Sequence, residues 1–199
     1  MTDKLFYERQ LLNCGCKYIC GVDEVGRGPL AGPVVCAAVI MPLDDIIEGV
    51  DDSKKLSEKK RNILSEQILK KAIACRICRI EPQVIDEINI LEATKLCMKN
   101  AIEGLEVAPD YVITDGNMTL DIAIPQKSIV KGDALSYTIG CASIVAKVHR
   151  DALMTDYSKL YPEYDFAGNK GYGTKTHIEA IKQAGLCPIH RRSFTKKWH

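Results

Sequence analysis

Net charge, aromatic rings and long apolar runs are all scarce in this 199-residue chain: the formal net charge is +1, aromatics make up 6%, and tryptophan occurs once. No apolar stretch reaches bilayer length, and the opening Met1-Thr2-Asp3-Lys4 lacks the pattern of a secretory leader, so a cytoplasmic location is expected. The near-neutral balance also removes the overall basic footprint of a nucleic-acid-binding protein, leaving only local clusters for such a partner. Lys54, Lys55, Lys59, Lys60 and Arg61 form one, and Arg191, Arg192, Lys196 and Lys197 another. Charge runs of this kind are also ordinary solvated faces.

Further absences bear on chemistry. No Ser-His-Asp or Cys-His arrangement stands out as a protein nucleophile. Nine cysteines occur, but Cys75 and Cys78 form a single CxxC within a strand-like segment, where residues three apart point to opposite faces. A structural zinc site is therefore not expected, even counting Cys14, Cys16 and Cys20, and the thiols read as reduced, small hydrophobes. The glycine-rich segment near the N-terminus fits neither GxGxxG nor the Walker spacing, and Pro29 and Pro33 oppose an immediate helix, which argues against a nucleotide-binding module.

What is present is a hydrophobic and charged content, 46% and 27%, that suits one globular domain with a sizeable core. Strand-like and helix-like segments alternate, which predicts α/β architecture. Tyr18 to Val22 and Pro33 to Met41 read as strands joined by a glycine turn, the second apolar throughout as for a strand covered on both faces. Ser57 caps a helix to about Lys71 with Ile63, Leu64, Ile68 and Leu69 as its apolar stripe. Ala72 to Ile80 is a third strand. A helix from about Val84 to Gly104, broken near Ile90, precedes a strand Tyr111 to Thr114 and a short one at Lys127 to Val130. One long helix is expected from Asp133 to about Leu160, and a last one from Thr176 to Ala184, stopped by Gly185.

The most informative stretch is Gly21-Val22-Asp23-Glu24-Val25-Gly26-Arg27-Gly28-Pro29-Leu30-Ala31-Gly32-Pro33. Two carboxylates end an apolar run and lead into a Gly-Arg-Gly turn, whose backbone can approach a phosphate or sugar closely. Asp115 ends another strand and Asp133 opens a helix. In α/β sheets such strand-end positions meet in space, and an oxygen-only set of Asp23, Glu24, Asp115 and Asp133 suits Mg²⁺ or Mn²⁺. Each also has an ordinary reading: Asp-Gly is a turn dipeptide, and Asp133 a helix cap.

The Asp23 to Pro33 segment resembles the signature of ribonuclease HII, an enzyme family that nicks RNA embedded in DNA. Further segments match in order: Asp52-Ser53-Lys54-Lys55-Leu56, Thr114-Asp115-Gly116-Asn117, Lys131-Gly132-Asp133, Ala142 to Asp151, Lys170-Gly171-Tyr172-Gly173-Thr174, His177, and His190-Arg191-Arg192-Ser193-Phe194. Gly140-Cys141 departs from the two alanines expected there, a packing variation. Arg27 and the short N-terminus favour type HII over the related type HIII enzymes, which have lysine in the loop and an extra N-terminal domain.

The resemblance implies a ribonuclease H-like mixed five-stranded sheet flanked by helices, with a catalytic domain over 1–160 and a small C-terminal helical cap over 161–199 packed on it as one unit. It implies Asp23, Glu24, Asp115 and Asp133 as the acidic quartet of a two-metal hydrolysis with Mn²⁺ or Mg²⁺, giving 5′-phosphate and 3′-hydroxyl ends. Gly26, Arg27 and Gly28 would read the 2′-hydroxyl through backbone groups, and Tyr172 would contact the neighbouring sugar. Lys54, Lys147, Arg150 and Arg191 are candidate phosphate contacts, with Lys147 and Arg150 three apart on one helix face. The expected partners are RNA–DNA hybrid and duplex DNA with embedded ribonucleotides, bound by a monomer. The alternative is a resolvase- or transposase-like nuclease of the same fold without ribose specificity.

Overall fold

A computed structural model of the chain describes residues 3–198. Met1, Thr2 and His199, the outermost residues of the expected leader and domain readings, lie outside the described residues. Five strands form one sheet in the order β3-β2-β1-β4-β5: β1 Ile19–Val25, β2 Val34–Ile40, β3 Ala74–Ile80, β4 Tyr111–Asp115 and β5 Gln126–Ile129. β1, β2 and β3 are antiparallel neighbours, whereas β4 and β5 add in parallel beside β1. The sheet is mixed, as expected.

Alternation along β2 explains why the strand is apolar throughout. Val34, Cys36, Ala38 and Ile40 pack against Cys97, Met98 and Ile102 of α3 (Pro82–Glu103). Val35, Ala37 and Val39 face Leu64 and Ile68 of α2 (Glu58–Lys71) and Ile144 and Val145 of α5 (Tyr137–Leu160). Cys75 and Cys78 belong to these two opposite cores, as their spacing on β3 requires. A third cluster joins Leu30 and Ala31 of the glycine turn and Met154 of α5 to Tyr164, Phe166, Ile181 and Ile189 of the C-terminal segment. That segment carries α6 (Phe166–Asn169), α7 (Lys175–Ala184) and α8 (Arg192–Thr195).

Several local expectations are revised. The helix after Asp133 is two: α4 (Gly132–Leu135) ends at Ser136, which is extended at φ −119°, ψ 136° and caps α5 by accepting from Ile139 N–H. Asp133 thus sits on a short turn of its own. The cause is an unforeseen N-terminal helix, α1 (Phe6–Asn13), whose buried Glu8 accepts hydrogen bonds from Ser136 Oγ, Thr138 N–H and Thr138 Oγ1. β1 runs on to Val25, so Asp23 and Glu24 lie within the strand, not beyond it. On α2 only Leu64 and Ile68 of the expected stripe are buried, while Ile63 and Leu69 are half-exposed. The break in α3 falls at Asn89 (φ 66°), next to the expected position. Among the described residues no helix is long and apolar enough to cross a membrane.

α5 lies so close on β1 that a Cβ added to Gly21 would stand 2.2 Å from the Thr138 carbonyl carbon and 2.5 Å from Ile139 N. Both obstacles are backbone, so no rotamer change relieves them. Gly21→Ala is expected to destabilise the protein by about 3 kcal/mol or more, beyond the range common for overpacking, because backbone must move. Urea denaturation checks this. Gly185, where an added Cβ meets nothing, is the control, and substitution there should register only the strain of its φ of +81°.

Candidate active site

Asp23 and Asp115 meet because β1 and β4 are parallel and in register: Val22 pairs with Thr114, and an aspartate follows each. Alternation then turns both carboxylates to the α5 face of the sheet, the side on which Gly21 and Ile113 lie. Asp133 comes from the α4 turn, and Asp115 Oδ1 accepts the Gly132 N–H at 2.6 Å, tying that turn to β4. Oxygens of Asp23, Asp115 and Asp133 all lie within 4.8 Å of one another. Asp23 is 5% exposed and Asp133 6%.

Anions this close repel. Burial first, then the charges of Glu24 and Asp115, push the Asp23 carboxyl well above the usual range. Burial and Asp115 likewise raise Asp133, with Lys54 opposing. Lys54 Nζ stands 3.7 Å from Asp133 Oδ2 on an otherwise solvated side chain. Burial opposes its charge, but Asp133 and the surrounding carboxylates prevail and raise its pKa. Ser143 of α5, unforeseen in the sequence, pairs with Ser53 at 3.0 Å, and its hydroxyl opposes the upward push on the Asp23 carboxyl.

Glu24, expected as a fourth member, is not among the three whose oxygens lie within 4.8 Å, yet its charge acts on Asp23 and the charge of Asp115 acts on it. It follows Asp23 directly, so alternation points it to the opposite, α3 face. Its Oε1 accepts from Arg27 Nη1 at 3.3 Å, while its buried Oε2 receives no hydrogen bond among the described residues. Burial raises its pKa and Arg27 holds it down. Oxygen-only donors, raised carboxyl pKa values and an unsatisfied buried carboxylate oxygen together fit a hard divalent cation such as Mg²⁺ or Mn²⁺.

The glycine turn leaves β1 at Gly26, whose φ of +91° favours glycine. Arg150 and Arg191, expected to contact phosphates, do not reach solvent: both are 0% exposed. Arg191 donates to the carbonyls of Gly26, Arg27 and Gly32, and Arg150 to those of Ala31, Pro33 and Lys170. Burial lowers their pKa values to about 9 and about 10 respectively, which leaves both charged at neutral pH. They are struts of the turn. Lys147 therefore shares no solvent face with Arg150, and its ammonium is 2.7 Å from Asp151 one helical turn on. Tyr172 does meet the turn: a Cβ on Gly28 would lie 3.7 Å from its ring, and Leu30 N–H donates to Gly171 O at 2.8 Å. The Tyr172 side remains 46% exposed.

Known proteins resemble this chain over nearly its whole length. A family model described as Ribonuclease HII matches residues 20–197. Ribonuclease HII of Caldicellulosiruptor saccharolyticus is 57% identical over 189 residues, covering 95% of this chain and 92% of that one. The Listeria innocua enzyme of the same name is 53% identical over 189 residues, 95% of this chain and 72% of its own. Among solved structures, the ribonuclease H2 from Pyrococcus horikoshii OT3 superposes with a TM-score of 0.77 at 28% identity, over 91% of this chain and 96% of that chain. The chain belongs to the ribonuclease HII family and is a ribonuclease H endonuclease, a hydrolase.

Proposed function

We propose that this ribonuclease H cleaves the RNA strand of RNA–DNA hybrids and nicks duplex DNA on the 5′ side of an embedded ribonucleotide, leaving 5′-phosphate and 3′-hydroxyl ends. The convergence of Asp23, Asp115 and Asp133 within 4.8 Å carries the reading. Those three, joined by the unsatisfied Oε2 of Glu24, would hold Mg²⁺ or Mn²⁺. Two such ions, when bound, supply an activated water and stabilise the leaving 3′-oxygen.

The chain's own part is placement. Asp115 fixes the α4 turn and hence Asp133. The Gly26-Arg27-Gly28 backbone, held by the Arg191 fork, presents fixed polar groups to a 2′-hydroxyl, the one group that separates ribose from deoxyribose. Tyr172, beside Gly28, stacks on or hydrogen-bonds the adjoining sugar and senses the RNA-to-DNA junction. Arg27 bonds Glu24 and so links reader to carboxylates. Lys54, solvated and next to Asp133, is a phosphate contact; Lys147 shares its charge with Asp151 and adds less.

End-labelled duplexes with one ribonucleotide should be nicked only with Mg²⁺ or Mn²⁺, while EDTA stops the reaction and an all-DNA duplex resists it. Tyr172→Ala should lose activity on ribose-containing junctions. An unchanged junction rate would instead favour a nuclease of this fold with no ribose reader.

Asp23→Asn should abolish turnover yet raise the metal-free melting temperature, by about 2–4 °C for each kcal/mol of repulsion relieved. The sign follows from linkage. A carboxyl whose folded pKa is raised stabilises the fold below the unfolded value of about 4 and loses that contribution as pH climbs through the raised value. The advantage of the variant should therefore be present at neutral pH and vanish below about pH 4, as calorimetry across that range would show.

Lys54→Ala should reduce the slope of log affinity against log salt by about 0.9. Arg191→Lys should leave that slope unchanged and lower the melting temperature, because it breaks a buried fork and removes no phosphate contact.

A further inference from the structure

Two buried imidazoles, His177 on α7 and His190 just before α8, have no part in the carboxylate cluster or the guanidinium struts. Their hydrogen bonds determine both tautomers. His177 Nδ1 lies 2.8 Å from the Tyr172 carbonyl oxygen, which can only accept, so Nδ1 carries the proton. The neutral ring then has a bare Nε2. That atom stands 3.0 Å from His190 Nε2, which must donate. His190 is left with a bare Nδ1, the acceptor for the Cys187 backbone N–H at 3.0 Å, with the Cys187 thiol 3.1 Å away. Donation thus runs one way, from Cys187 through His190 and His177 to Tyr172, with both rings neutral and each ring nitrogen engaged.

The surroundings keep the relay dry and rigid. Tyr164 stands edge-on to His190 at 4.8 Å between centroids, and Phe166 edge-on to His177 at 5.3 Å. Burial, against the pull of the Tyr172 carbonyl, holds His177 below the ordinary imidazole range. On the other side of Tyr172, Gly171 O accepts from Leu30 and Ala31 N–H. The backbone at Tyr172 is therefore clamped between the glycine turn and the histidine relay while its ring stays accessible.

We propose that His177 and His190 are positioning residues that set the Tyr172 ring against Gly28 and so fix the preference for an RNA-to-DNA junction. The inference rests on the reading of Tyr172 as the sugar contact. The quantity to measure is junction preference, kcat/KM on a single-ribonucleotide duplex divided by kcat/KM on an RNA–DNA hybrid. His177→Phe keeps a ring and loses both nitrogens, so preference should fall roughly tenfold to a hundredfold, the penalty of a small misplacement. Its thermal shift with Mn²⁺ should persist, since the carboxylates are untouched. His177→Asn puts an amide N–H near the place of Nδ1 and should restore preference to within about threefold, although both variants lose stability. A folded His177→Phe protein with wild-type preference overturns the proposal, provided Tyr172→Ala has lost it. If Tyr172→Ala keeps the preference, the sugar-contact reading itself falls, and this inference with it. Should His177→Phe not fold, ¹⁵N NMR of the wild-type protein decides. Protons on His177 Nδ1 and His190 Nε2 support the relay, and an Nε2-protonated His177 refutes it.

Discussion

Mutual repulsion among carboxylates is the constraint to which the rest of this fold answers. Asp23, Asp115 and Asp133 are each delivered by backbone geometry that leaves little room to separate: adjacent parallel strands for the first two, and a turn bonded to Asp115 itself for the third. The cation paired with them, Lys54 beside Asp133, is largely in water and screens them weakly. Support comes from behind. α5 is pressed onto β1 at Gly21, and Glu8 of α1 holds the residues between α4 and α5. A cluster held against its own charge is a ready site for a divalent cation, because binding removes the repulsion that folding left in place.

Positive charge is used in the opposite way. Two guanidinium groups packed under the glycine turn are withdrawn from solvent and given to carbonyl oxygens, six of them between Arg150 and Arg191. A planar fork with several donors can satisfy carbonyls that face one another at a tight turn, which an ammonium cannot. The turn is therefore already ordered in the folded chain, and the free energy of ordering it is met during folding. A net charge of +1 conceals this division between clustered anions at the site and buried cations behind it.

The legible parts of the sequence were those governed by local pattern. The strands, the cap at Ser57 and the stop at Gly185 follow from apolar periodicity and turn chemistry, whereas the mixed sheet was what the family resemblance implied. Asp23 and Asp115 could be placed because a carboxylate at the end of a buried strand is conspicuous. That Glu24 faces away from Asp23 was also within reach, given that adjacent strand residues alternate, once β1 was known to extend to Val25. What could not be read was set by distant partners. Arg150 looks like any basic residue on a helix until Pro33, Ala31 and Lys170 are brought around it. Ser136 breaks a helix whose periodicity is unbroken, because Glu8, 128 residues away, competes for its hydroxyl. His177 and His190 gave no sign of contact with each other.

These long-range bonds converge on one segment. The turn from Gly26 to Pro33 touches the carboxylates through Arg27 and Glu24, Tyr172 through Gly28 and Gly171, and the C-terminal helices through Arg191 and the Ala31–His190 bridge. Most of those links use backbone atoms, so side-chain changes within the turn disturb them less than a change in the distant residues that hold it. Tyr172 and the Gly-Arg-Gly backbone are both tied to the C-terminal segment, whereas Asp23, Asp115 and Asp133 are placed by β1, β4 and α4. In the proposed function, residues that would read the sugar can lie far in sequence from those that would cut the phosphodiester.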